Sequence, residues 1–355
     1  MPIHEWSEIR DQRWDTLFLG NGASIAICNK FAYQSLYDYA EQRGLISNEL
    51  RRIFEFFDTR DFEMILRFLW HAYLINSILM VDENHTQNAY ESLRTALIET
   101  VRDLHDEDCD FLVLRNTLKR CANFAKDFRT VVSLNYDLTL YWIMMLGNDC
   151  LGNWFKDCFT VFENTSNKCG GLYFRDDWEM LREPYKADGS TLVFYPHGNM
   201  ILAINKFGEE IKLKLEEGDG VPSLAGKVLK CWEKGEVIPL FVSEGTSEQK
   251  ERSIRRSVYL STVYHEVLPN LGQNIVVFGW SFSENDIHLL KAILKNPSLE
   301  RIAISVYDID NYNDFSSRVE DMIRQESRDR EIEILFYKAQ SEGCWIRAKP
   351  LPPPP

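Results

Sequence analysis

An α/β fold on a mostly parallel sheet, with helices on both faces and a large helical insertion, is what this sequence predicts. Short runs rich in Val, Ile, Leu and Phe recur, each closing on a polar or glycine-bearing turn: Thr16–Gly20, Thr130–Leu134, Leu192–Tyr195, Val237–Val242, Asn274–Gly279, Arg301–Tyr307 and Glu331–Tyr337. Most lack two-residue alternation, as strands covered on both faces do. Helical spacing follows several of them, as in Asp286–Lys295 after Asn274–Gly279 and Phe315–Glu326 after Arg301–Tyr307. Strand, loop, helix, strand is the grammar of a parallel sheet.

Between the first two strands, apolar residues recur at three- and four-residue spacing over Phe31–Arg43, Asn48–Phe57, Asp61–Met80, Thr86–Asp103 and Asp108–Phe128. That pattern predicts five helices, with Asp61 and Thr86 as N-caps. The core is therefore expected in residues 1–30 and 129–345, with 31–128 as a helical insertion. Residues 147–190, rich in Trp, Phe, Asn, Asp and Gly, read as an irregular insertion of loops and short helices. Leu192–Ala203 with Glu209–Leu215 reads as a local strand pair. The closing 346–355 segment reads as a Pro-rich tail without helix or sheet.

Composition narrows the function classes. At about 150 residues per domain, 355 residues allow two to three units. An aromatic content of 13% is too high for a disordered polymer. A net charge of −14 repels phosphate backbones and argues against direct nucleic-acid binding, while leaving a small anion bound by backbone amides possible. Residues 1–13 carry five charged side chains and no apolar core, so no export signal is expected there, nor is any apolar run long enough for a membrane helix. The eight cysteines form no C-x-x-C pair. The expectation is a cytoplasmic protein with reduced thiols and no metal.

Four strand ends carry chemistry-bearing residues. After Thr16–Leu19 comes Gly20-Asn21-Gly22-Ala23-Ser24 and then a helical pattern. Gly20 permits a tight turn, Gly22 lets the backbone approach a pyrophosphate, and Ser24 serves a phosphate or caps the helix. Ile25 stands where a dehydrogenase fingerprint has its third glycine, and no P-loop motif occurs. The second strand runs into Asn135-Tyr136-Asp137, where Asn135 can both donate to and accept from a ribose hydroxyl or a water. His197, between Pro196 and Gly198, is a rigidly held imidazole able to act as a base. Gly279-Trp280-Ser281 begins a second strand–glycine–turn–helix unit, and Ser243 closes another strand. Each has a bland reading as a glycine turn, an N-cap or a satisfied core histidine.

Taken in order, G-N-G-A-S, N-Y-D, P-H-G and G-W-S-x-S-x-x-D resemble the sirtuin-like NAD-binding superfamily. They are most similar to the bacterial sirtuin-like domains that consume NAD+ in antiphage defence. The resemblance implies a Rossmann-like core. It also implies that Gly20, Asn21, Gly22, Ala23 and Ser24 hold the pyrophosphate and that Asn135 and Asp137 serve the nicotinamide ribose. His197 would be the base, Gly279 and Ser281 would bound the adenosine side, and Ser243 would face the cofactor. Deacylating sirtuins usually carry a zinc bound by two C-x-x-C pairs, which this chain lacks, so the resemblance favours the NAD+-hydrolysing branch. NAD+ is then the substrate, with catalytic residues Asn135, His197 and Asp137 and no metal. It also implies control by assembly, as a homo-oligomer or with a hexameric ATPase of the HerA type. The same pocket leaves open ADP-ribosyl transfer, deacylation and a non-catalytic NAD- or ADP-ribose-binding subunit.

Overall fold

A computed structural model of the chain describes residues 2–29, 36–81, 84–104, 111–161, 171–182, 190–214, 224–242, 245–327 and 330–352. The strands in chain order are β1 (Ile3–His4), β2 (Thr16–Leu19), β3 (Thr130–Ser133), β4 (Phe155–Lys156), β5 (Phe159–Thr160), β6 (Gly171–Phe174), β7 (Thr191–Phe194), β8 (Gly198–Asn205), β9 (Glu210–Leu213), β10 (Val237–Phe241), β11 (Asn274–Phe278), β12 (Arg301–Val306) and β13 (Glu333–Lys338).

Eight of them form a wholly parallel sheet in the order β1-β13-β12-β11-β2-β3-β7-β4. Its six central strands, β7-β3-β2-β11-β12-β13, reproduce the 3-2-1-4-5-6 order of a Rossmann-like sheet. Every residue of β2, β3, β7 and β11 is buried, which explains their continuous apolar sequence. The topology also creates a switch point. From β2 the chain works outward through β3 to one side, and from β11 through β12 to the other. Neighbouring loops at the carboxyl ends of β2 and β11 therefore diverge and leave a crevice.

The remaining strands form a second sheet, β10-β8-β9-β6-β5, antiparallel throughout. The expected strand pair over Leu192–Leu215 is present as β8 and β9, while β7 stays in the parallel sheet. The chain crosses between the two sheets at Tyr195-Pro196-His197. Two expectations are corrected here. Val237–Val242 is a strand of the second sheet, paired with β8 through a bulge between Pro239 and Phe241. Pro239 has no N–H to give an interior ladder and is admitted at a sheet edge. Residues 147–190 are not simply loops: their described parts include β4, at the edge of the parallel sheet, and β5 and β6 of the second.

The insertion contains helices Leu36–Gln42, Asn48–Phe56, Phe62–Leu79, Asn84–Leu104 and Phe111–Ala125. Asp61 caps the third by accepting the Met64 N–H at 3.0 Å. Thr86 is not a cap: its helix begins at Asn84, and its hydroxyl accepts from Asn76 at 3.2 Å. The described part of the final segment, residues 346–352, is packed against the fold. Leu351 and Ala348 are buried, and Arg120 holds the Ala348 carbonyl at 2.8 Å. Cys121, Cys150, Cys158, Cys231 and Cys344 are free thiols as expected, whereas Cys28 is disulfide-bonded. No helix among the described residues is long and apolar enough to cross a membrane.

Candidate functional site

The two glycine turns at the switch point are locked to each other. Gly20 donates its N–H to the Phe278 carbonyl at 2.9 Å, and Gly22 donates to the Gly279 carbonyl at 2.8 Å. A Cβ on Gly20 would sit 2.5 Å from the Gly279 carbonyl oxygen, and one on Gly22 would sit 2.8 Å from the Gly279 Cα. Gly279 has φ +72°, in the left-handed region, and a Cβ there would lie 2.5 Å from the Ala23 nitrogen. These glycines are therefore needed first for backbone-to-backbone contact.

Asn135 ties the next strand end to the same turn. Its Nδ2 donates to the Gly20 carbonyl at 3.0 Å and to Ser24 Oγ at 2.8 Å. A carbonyl only accepts, so the amide end must face Gly20 and the orientation of the carboxamide is settled. Both donors are spent within the protein, which leaves the Oδ1 acceptor for the cleft. Ser24 is buried as the partner of Asn135, and Ala23 is buried with its carbonyl accepting from Trp345 Nε1 at 2.9 Å.

His197 occupies the crossing between the sheets. Its carbonyl accepts from the Val242 N–H at 2.7 Å, and Gly198, at φ +75°, presses against the backbone of Phe241. The side chain is buried with Nε2 3.0 Å from Nε2 of His288, and His288 Nδ1 lies 3.1 Å from Ser247 Oγ. Burial holds His197 well below the usual histidine range, helped by Lys250 and His288. Burial likewise lowers His288 to about 4, against the opposing pull of Asp286. Both imidazoles are neutral at pH 7.

A single cavity of about 1590 Å³ runs along the carboxyl ends of β2, β3, β11 and β12. Of the residues expected at the site, it is lined by Asn21, Gly22, Asn135, His197, Gly279 and Ser281. Gly20, Ala23 and Ser24 lie behind it and build the turn. Asp137 is not part of the lining: its Oδ1 accepts the Thr139 N–H at 2.7 Å at the start of helix Thr139–Leu151. A carboxylate two residues before a helix is drawn to its free N–H groups. Ser243 lies outside the described residues.

Three features escaped the sequence reading. The first is His288, on the helix Ile287–Leu294. The second is the partly buried ion pair of Lys250 and Asp286 at 2.7 Å, both in the lining. The third is the far wall, made by Tyr37, Asp38, Phe54 and Arg60 of the helical block. There Arg60 pairs with Asp38 at 2.8 Å and lies over the Tyr37 ring. Part of the helical block thus closes the cleft. Among the described residues no cluster of His, Cys, Asp or Glu is arranged to hold a metal ion.

Comparison with family profiles matches residues 17–345 to a domain of unknown function, DUF4917. The chain belongs to the DUF4917 family. The match runs from β2 to beyond β13, so the parallel sheet apart from β1 and Thr16, the second sheet, the helical block and all but the last lining residues of the cleft fall within the DUF4917 unit. No curated protein matches the chain.

Proposed function

We propose that the protein binds NAD+ along the switch-point cleft and hydrolyses its nicotinamide–ribose bond, releasing nicotinamide and ADP-ribose. One observation carries the reading: the first glycine turn, Asn135 and His197, remote from one another in the chain, meet at one cavity. Its volume of about 1590 Å³ exceeds the ~300–1000 Å³ of ordinary small-molecule sites, so an extended dinucleotide fits.

In this reading the pyrophosphate lies against Gly22 and Gly279, the adenosine extends past Ser281, and the nicotinamide ribose sits between Asn135 and His197. The C1′–N bond breaks with its electron pair leaving on nicotinamide, and positive charge develops on the ribose. Asn135 Oδ1 accepts from a ribose hydroxyl and holds the sugar. His197, neutral at working pH, takes the proton of the water that attacks C1′, a role worth about 10²–10⁴ in rate. Asp137 has no part in the step.

We place this activity under the control of assembly, since an unregulated NAD+ hydrolase would empty its own cell. The occupant we assign is a second copy of this chain, covering the end of helix Phe62–Leu79. Ile75, Ile78, Leu79, Met80 and Val81 are each more than half exposed there. Residues 74–81 carry no charge, so on a chain of −14 this is a face where copies do not repel. Contiguous exposed apolar faces of this kind mark interaction sites. A defence role and a HerA-type hexameric ATPase as a further partner remain part of the proposal. Sedimentation should give an oligomer that Ile78→Glu dissociates; a monomer at all concentrations would remove this element.

The test of the chemistry is purified protein with NAD+. Nicotinamide should accumulate, and Asn135→Ala and His197→Ala should abolish its release while calorimetry still detects NAD+ binding. Normal turnover by both variants would overturn the reading. Binding without cleavage in every assembled state would replace it with a non-catalytic NAD- or ADP-ribose-binding subunit. A modified protein or a deacylated peptide among the products would replace it with the transferase or deacylase.

A further inference from the structure

We infer that His288, seated on Ser247, is a positioning residue that makes Nδ1 of His197 the nitrogen presented to the cleft and receives the proton taken up there. This rests on the reading of His197 as the base.

The geometry leaves little choice of atom. Nε2 of His197 faces Nε2 of His288 at 3.0 Å, and the two rings meet edge to edge with centroids 5.2 Å apart, so that nitrogen is occupied. Nδ1 of His197 has no partner among the described residues and is not among the sealed-off polar atoms. Two Nε2 atoms at hydrogen-bond distance share one proton when both rings are neutral, so the tautomers are coupled. With the shared proton on His197, its Nδ1 carries a bare lone pair. His288 then bears its own hydrogen on Nδ1, which donates to Ser247 Oγ.

Ser247 is suited to hold that arrangement. Its hydroxyl oxygen also accepts the backbone N–H of His288 at 3.0 Å, so the main chain and the ring of His288 are gripped by one atom. Behind the ring, Tyr264 donates its hydroxyl to the His288 carbonyl at 3.0 Å.

The charges around the pair differ in sign. Nothing near His197 favours its cation: burial, Lys250 and His288 all oppose it. His288 is opposed by burial and Lys250 but favoured by Asp286, Glu251 and Glu248. A proton arriving at His197 Nδ1 is therefore better held one ring further back. When water attacks, its O–H bond breaks and the proton joins His197 Nδ1. The Nε2 proton of His197 passes to His288 Nε2, and the positive charge rests on the His288 imidazolium beside the carboxylates.

The experiment has two arms on the full-length chain. In the first, ¹⁵N-histidine NMR of the resting protein reads the tautomers without any substrate. His197 should be protonated at Nε2 and bare at Nδ1. His288→Gln, whose carboxamide oxygen can accept the Nε2–H but cannot take the proton, should keep that tautomer, while His288→Phe should lose it. In the second arm, His288→Phe should lower kcat for nicotinamide release at least tenfold with KM changed less than about twofold. His288→Gln should retain the NAD+ KM and recover only part of the rate, with unfolding midpoints confirming that both variants fold.

A wild-type His197 protonated at Nδ1, or a His288→Phe variant with unchanged tautomer and kcat, overturns the inference. If the wild type releases no nicotinamide, the hydrolase reading falls by itself. The tautomer measurement then still upholds or overturns the coupling of the two rings.

Discussion

The cleft has two ends built in different ways. At the switch point the work is done by backbone: Gly20, Gly22 and Gly279 have no side chains because two main chains touch there. At the sheet crossing it is done by side chains, with His197, His288 and Ser247 arranged nitrogen to nitrogen to oxygen. The first end is rigid and indifferent to pH in the neutral range. The second changes charge when it is protonated. A cleft that must hold a ligand and also move a proton gains from keeping these two duties in separate materials.

The largest expected effect comes from adding one methyl group to the backbone end. Gly279→Ala forces a left-handed φ on a residue with a Cβ and drives that Cβ to 2.5 Å from the Ala23 nitrogen. The neighbour is main chain inside a packed turn and cannot move aside, so strain and overpacking add. A loss of about 3 kcal/mol or more is expected in denaturant titration. Calorimetry should show weakened NAD+ binding as well. A variant as stable as the wild type would mean the two turns are not locked together.

The histidine end should be found by pH instead. His288 titrates at about 4 in the folded chain and at the ordinary 6.5 once unfolded. Between those values the unfolded chain binds the extra proton, so stability is full above pH 6.5 and falls as the pH drops toward 4. The shift corresponds to about 3 kcal/mol, discounted somewhat because the ring is not wholly enclosed. His197 acts in the same direction. Denaturant titrations from pH 7.5 to 4 should show this slope, and His288→Phe should lose the His288 share of it. A wild-type curve flat through that window would show that the pair is not held neutral by burial.

A third change tests the joint between the two ends. Asn135→Asp keeps the shape but replaces the NH₂ that faces the Gly20 carbonyl and Ser24 Oγ with a second oxygen. Two oxygens then oppose each other in a buried place. The cost should be about 1–3 kcal/mol, and nicotinamide release should cease. Unchanged stability would mean that the carboxamide faces the other way.

The same contrast explains what could be read from the sequence. Glycine turns after apolar strands are local signals, and they located the switch point and most of the parallel sheet. Asn135 and His197 were visible for the same reason, as polar residues set at strand ends. His288 was not, because it lies on a helix and its meaning comes from a partner 91 residues away. The second sheet escaped for a related cause. Pro239 suits the Val237–Phe241 run to a sheet edge, a signal left unread, and β5 and β6 are short with non-local pairing. Asp137 carries two signals at once: its spacing from Asn135 matches the resemblance, while its local chemistry matches a helix end.

That last residue gives the smallest and most discriminating effect. In Asp137→Ala the Thr139 N–H loses a charged acceptor at 2.7 Å, which should cost about 1 kcal/mol, within the usual range for a lost helix cap. Because the carboxylate does not line the cavity, KM for NAD+ and kcat should stay within about twofold of wild type. Asp137→Asn, which retains an acceptor oxygen, should recover most of the stability. If Asp137→Ala folds normally but loses turnover by orders of magnitude, and Asp137→Asn does not restore it, the carboxylate belongs to the chemistry. The division of the cleft into a backbone end and a histidine end would then need a third, acidic member.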